Sequence, residues 1–183
     1  MGKKQTASVN WKGDMSFETE VSNHKFMIDA DEKVGGKDRG PRPKPLMLAA
    51  LVGCTGMDVI SNLRKIRVKV DDFNVEVEGE QNDEHPVQYV KMHIVYEFKG
   101  KNLPKDKIEK VVNLSQERYC GVSYFYRKVI PITHEIKITE SSIQVVGRAE
   151  AETQISINGK VVLSDENGVF RQQVFLKKGL NTI

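Results

Sequence analysis

With 183 residues, 39% of them hydrophobic, the chain is long and apolar enough for one well-buried domain and a small appendage. Its net charge of +3 comes from 28 Lys and Arg residues scattered among 25 acidic ones, without a basic stripe carrying aromatics, so nucleic acid is not an expected partner. Two cysteines are too few for a secreted disulfide scaffold and the basic N-terminus lacks a signal-like apolar run, so a reducing, cytoplasmic setting is expected, where such a pair is structural or redox-active.

Met15, Phe17, Thr19 and Val21 alternate with polar neighbours, Ser22 to His24 reads as a turn, and Phe26 and Ile28 resume the alternation, which predicts a hairpin. Residues 30–44, rich in Gly, Pro and charge, predict a loop of the length that is usually functional or disordered. Pro45 then opens a helix expected to run to about Arg67, with Arg64, Lys65 and Arg67 complementing its negative end. From Leu46 to Ile60 its residues are apolar or small apart from Thr55 and Asp58, so it is expected to be hydrophobic all round and buried in a domain. Its uninterrupted apolar run is shorter than a bilayer crossing, and no membrane association is expected.

Beyond it, Phe73 to Val77 and Val90 to Phe98 predict two antiparallel strands with one wet face. Ile108, Val111, Val112, Ser115 and Tyr119 share one face of a second helix leading to Cys120. A short third helix before Pro131 and a strand over 133–138 complete an α+β domain with an antiparallel sheet against helices. From Thr139 to Ile183, short strands and turn pairs such as Asn158-Gly159 recur closely, the pattern of a small β-sandwich.

Cys54 is the residue to explain. Free cysteine is among the most buried residue types, so it reads either as inert core or as a nucleophile, and Cys120 as core filler or as its partner thiol. A thiol's ordinary pKa near 8.5 leaves little thiolate at neutral pH, and burial leaves less. Lowering it by two units takes about 2.7 kcal/mol, within reach of one partly desolvated ion pair. The helix dipole is a weak source, because Cys54 lies roughly 13 Å along the axis from Pro45. The basic loop, with Arg39, Arg42 and Lys44, is a better one. Asp58 falls one turn after Cys54 and reads as a structural hydrogen-bonding residue. No histidine has ligand spacing with a cysteine, so neither a metal site nor a cofactor is expected.

The segments L-M-L-A-A-L-V-G-C-T-G-M-D-V-I, E-R-Y-C-G-V-S and I-T-H-E-I-K-I, in that order, resemble the OsmC/Ohr superfamily, and most of all its YhfA-like branch, over residues 8 to 138. The resemblance implies an OsmC-like fold, antiparallel sheets around a long buried helix, in an intertwined homodimer. It also implies thiol-dependent reduction of organic hydroperoxides at the dimer interface, with Cys54 attacking, Cys120 resolving and an external dithiol as reductant. Peroxidase members carry an acid near the start of the cysteine helix, paired with an arginine that contacts the thiolate. Here Lys44 stands at the acid's place, and Arg39 or Arg42 would supply the cation. Residues 139–183 resemble incomplete immunoglobulin-like modules. The alternatives are a non-catalytic binding protein of the same fold that holds a small apolar ligand, or a redox sensor whose tail binds a partner.

Overall fold

The structure, a computed structural model, describes residues 2–140 and 142–175. The chain divides into two compact units, 1–54 and 55–183, with the division inside one unbroken helix, α1 (Pro45–Lys65). Cys54, the last residue of the first unit, therefore stands on the same helix as Thr55 and Asp58.

The first unit is an antiparallel meander of β1 (Ala7–Trp11), β2 (Phe17–Val21) and β3 (His24–Ile28). The hairpin is as predicted; Ser22 and Asn23 both take positive φ, as a two-residue turn that follows the strand twist requires. Strand β1 is an addition. Ala7, Val9 and Trp11 carried its alternating signal, within the stretch read only for a secretory leader.

The 30–44 segment is an ordered loop with a 3-10 turn at Glu32–Val34. Its organiser is Asp29, a buried carboxylate that accepts N–H bonds from Ala30 at 2.8 Å and from Lys37 and Arg39 at 3.2 Å each. Two glycines let the loop lie against the end of β3: a Cβ on Gly36 would sit 2.0 Å from the Ala30 carbonyl oxygen, and one on Gly40 2.1 Å from that of Met27.

In the second unit β4 (Asp72–Gln81) and β5 (Tyr89–Lys99) pair antiparallel, as predicted. Met92, Ile94, Tyr96 and Phe98 of β5 are fully buried, and Phe73 of β4 stacks on Phe98 at 4.7 Å between ring centres. The chain then passes through α2 (Lys105–Leu114), a π-turn (Ser115–Tyr119) and α3 (Gly121–Tyr126) before β6 (Ile132–Thr139). That helical crossover returns the chain to the end where β5 began, so β6 pairs with β5 in parallel and the sheet is mixed. The α+β class stands, and one strand of the expected antiparallel sheet runs the other way.

Helix α1 departs from the expectation of all-round burial. Leu51, Thr55, Val59 and Leu63, each one turn from the next, are fully covered. Ala50 and Gly53 are exposed, and Met57 on that side is 72% exposed. At 21 residues α1 is also longer than its apolar run suggested: by length and composition alone it could cross a membrane, a test that core helices pass equally. Its second half packs on the sheet instead: a Cβ added to Gly56 would lie 3.7 Å from the Val75 side chain and 4.0 Å from that of Phe73.

The C-terminal strands form two further antiparallel pairs, β7 (Ser142–Arg148) with β10 (Val169–Phe175) and β8 (Gln154–Ile157) with β9 (Lys160–Leu163). Asn158-Gly159 makes the predicted tight turn, both residues at positive φ. The last stretch of the immunoglobulin-like resemblance, residues 176–183, lies outside the described residues.

Candidate functional site

The π-turn decides which residue of the second helical run faces inward. Ile108, Val111, Val112 and Ser115 are buried as the helical period predicts, but Tyr119, assigned to the same face, is 48% exposed. Within the turn the Cys120 N–H donates to the Ser115 carbonyl five residues back at 2.9 Å, so one extra residue is wound in and the inward position slips from 119 to 120. Cys120 is 1% exposed as a result. Its Sγ accepts the Ser123 N–H at 3.3 Å, at the start of α3.

Cys54, half-buried, projects from α1 one turn before Asp58. The Cys54 Sγ, a carboxylate oxygen of Asp58 and the Cys120 Sγ all lie within 4.8 Å of one another. The two cysteines are thiols, not joined in a disulfide, and sulfurs at this range need only a modest approach to bond. Gly53, beside Cys54, faces open space, whereas Gly56 is a packing glycine against β4.

Asp58 stands in the opposite state to Asp29. Its Oδ2 is buried and accepts no hydrogen bond. Burial raises its pKa above the ordinary carboxylate value, against a hydrogen bond from Ser115 and the charge of Lys65, which pull it down. Two sulfurs and a carboxyl oxygen could in principle take a thiophilic cation, but a metal ligand must be deprotonated, and burial pushes this carboxyl toward its neutral form. The trio reads as a thiol and proton site rather than a metal centre.

Behind the thiols lies a buried polar network that sequence reasoning did not find. Thr55 Oγ1 is 2.5 Å from the Tyr96 hydroxyl and 2.9 Å from Ser115 Oγ. Gln116 donates through Nε2 to both the Tyr96 hydroxyl and Thr55, and its Oε1 accepts from Ser123 Oγ at 2.6 Å and from Arg127 at 2.8 Å. Thr55, Ser115, Gln116 and Ser123 were legible only as small or polar residues at helical spacing. A buried glutamine amide with every role filled is a product of the fold.

The two arginines expected to activate Cys54 are engaged within their own loop. Arg39 pairs with Asp14 at 3.4 Å and reaches Asp29 at 4.0 Å. Arg42 pairs with Asp38 at 2.7 Å and Asp31 at 3.5 Å, and donates to the Gly40 carbonyl. Arg42 also borders an apolar cavity of about 470 Å³ lined by Val9, Met15, Phe17, Ile28 and Val34.

These residues and this order of elements match a known group of proteins. The family model described as OsmC-like protein matches residues 35–135. The chain belongs to the OsmC-like family. Protein YhfA of Escherichia coli K12 is 30% identical over 133 residues, 72% of this chain and 96% of the relative. Among solved structures, a hypothetical protein from Aquifex aeolicus VF5 superposes with a TM-score of 0.65 at 26% identity, over 76% of this chain and 100% of that one. The organic hydroperoxide resistance protein OhrB of Bacillus subtilis matches with a TM-score of 0.53 at 19% identity, over 72% and 98%. At that identity it supports the fold alone. In this OsmC-like chain both cysteine motifs fall inside the matched region.

The pH dependence of the loop follows from Asp29. The neighbouring Ser16 hydroxyl, opposed by burial and joined by the three backbone N–H groups, holds its pKa at about 2 against an ordinary 3.8. A depressed carboxylate stabilises the fold above its unfolded pKa and loses that contribution as pH falls through its folded one. Amide protection factors in residues 30–42, corrected for the intrinsic exchange rate at each pH, are therefore expected to be high at neutral pH and to fall between about pH 4 and pH 2. Asp29→Asn is expected to show fast exchange already at pH 7.

Proposed function

We propose that this chain is a thiol peroxidase that reduces organic hydroperoxides, with Cys54 as the attacking and Cys120 as the resolving thiol. The observation that carries the reading is the pairing itself: two sulfurs within 4.8 Å, one half-buried and open to substrate, the other sealed. The Cys54 thiolate attacks the distal peroxide oxygen, releasing an alcohol and leaving a sulfenic acid; Cys120 then displaces water to form the disulfide. An external dithiol restores both thiols, in a reducing, cytoplasmic setting. The organic hydroperoxide resistance in the name of OhrB is consistent with this chemistry.

The test is rapid-mixing titration of the reduced protein with cumene hydroperoxide and with hydrogen peroxide, followed by mass spectrometry. Fast, organic-selective oxidation ending in a Cys54–Cys120 bond is expected. Slow oxidation by both peroxides, with no intrachain bond, overturns the reading.

The same proposal includes a homodimer. Its support is the open side of α1, where Ala50, Gly53 and Met57 present small and apolar groups to solvent. Met57→Lys is expected to shift the protein from dimer to monomer in light scattering. We also assign the stretch after β6 to a separate module, because among the described residues strands β7 to β10 pair among themselves and none joins the β4-β5-β6 sheet.

A further inference from the structure

We propose that Asp58 is the proton donor of the peroxide step, protonating the alkoxide released from the hydroperoxide and recovering the proton from the Cys120 thiol. The inference rests on the peroxidase reading above and adds to it a catalytic acid.

Three observations place it there. An oxygen of Asp58 lies within 4.8 Å of both sulfurs, in reach of the atom that attacks and of the atom that resolves. Its Oδ2 is buried without a partner, whereas the structural carboxylate of this chain, Asp29, is saturated by three N–H donors. A buried, unpaired carboxylate oxygen is costly when charged and tolerable when the group is neutral, so its surroundings favour the protonated carboxyl beside the two sulfurs. Burial raises its pKa in the same sense, with Lys65 the cation that acts on it and Ser115 the hydroxyl. Two carboxyl groups held apart in this way, one charged and structural, one neutral beside the reacting atoms, is how one fold divides such roles.

The other polar groups described above do not fill the role. The Tyr96 hydroxyl is bonded to Thr55 and Gln116, and burial raises its pKa further. Thr55 and Ser115 are weakly acidic hydroxyls held in the same network. Arg39 and Arg42 are engaged by the carboxylates of Asp14, Asp31 and Asp38.

The balance closes. Attack by the Cys54 thiolate breaks the O–O bond and forms Cys54–SOH; the departing alkoxide takes the Asp58 proton and leaves as alcohol. The Asp58 carboxylate then removes the Cys120 proton, the new thiolate attacks the Cys54 sulfur, and the departing hydroxide takes that proton as water. One hydroperoxide, one thiolate, one thiol and one carboxylic acid become alcohol, water, a disulfide and one carboxylate. Solvent reprotonates Asp58 during reduction by the dithiol.

The test compares two leaving groups in single-turnover oxidation, with chelator present throughout. Cumene hydroperoxide expels a strongly basic alkoxide that needs the acid; peroxybenzoic acid expels benzoate, which does not. Asp58→Asn is expected to slow the first about a hundredfold or more and to leave the second within about threefold of wild type. Equal loss on both would make Asp58 a positioning residue and overturn the proposal, as would no loss on either. Should the amide variant fail to fold, the wild-type rate across hydroperoxides of falling leaving-group basicity decides: a shallow dependence is expected, and a steep one overturns it. Wild-type protein inert to both peroxides removes the peroxidase reading itself, an outcome distinct from loss of the acid alone.

Discussion

Cys54→Ser is expected to abolish hydroperoxide consumption, whereas Cys120→Ser is expected to leave one turnover and stop. A serine hydroxyl is not ionised at neutral pH and its oxygen is a poor nucleophile toward peroxide, so the first substitution removes the attacking atom. The residual rate is expected below one thousandth of wild type, a difference of about 4 kcal/mol in the barrier. Cys120 acts only after attack. Its loss leaves oxidation of Cys54 intact, and a sulfenic acid accumulates to one per chain, trapped by a dimedone-type reagent and seen as added mass. The asymmetry follows from exposure: Cys54 is half-buried and Cys120 is sealed behind the π-turn. Undiminished consumption in Cys54→Ser would remove the enzyme reading and return the chain to the binding proteins of its fold. Loss of the first turnover in Cys120→Ser would reverse the two roles.

How much of this was readable beforehand depends on the range of the signal. The β2-β3 hairpin and the β4-β5 pair announced themselves by period, because each has a face that repeats along a few residues, and the α1 helix by its apolar run between Pro45 and the basic residues that end it. The two cysteine motifs were equally local and carried the family. What escaped depended on winding or on distance along the chain. The π-turn changes the phase of the helix at Ser115 by one residue, so a strict helical period assigned the inward place to Tyr119 and not to Cys120. The parallel direction of β6 depends on where the crossover returns. Asp58 was placed correctly on the face of Cys54, but its unpaired oxygen and its closeness to Cys120 required the second helical run to be docked. The loop arginines illustrate the reverse error. Their charge was visible in the sequence, and the acids that engage them, Asp14, Asp31 and Asp38, were visible too, yet composition could not pair them.

Gln116→Leu is the substitution expected to destabilise the chain most outside the thiols, and the network explains why. Leucine keeps the volume and removes an amide that bonds Tyr96, Thr55, Ser123 and Arg127 at once. Arg127 is only partly buried and can turn to water, but the Tyr96 and Ser123 hydroxyls are fully enclosed. Tyr96 keeps Thr55, so the chief loss is the acceptor of the Ser123 hydroxyl; a buried group left without its partner costs about 1–3 kcal/mol, against the few tenths of an exposed helix ion pair such as Lys105–Glu109. Urea unfolding measures the difference directly: a large fall in midpoint for Gln116→Leu and almost none for Lys105→Ala. The effect reaches the chemistry as well. Ser123, which bonds Gln116 through its hydroxyl, gives its N–H to the Cys120 sulfur, so slackening the amide loosens the seat of the resolving thiol. In Gln116→Leu, disulfide closure is expected to slow more than attack by Cys54, which shows as sulfenic acid that lingers before the bond forms. Equal slowing of both steps would mean that the network holds the fold without positioning Cys120.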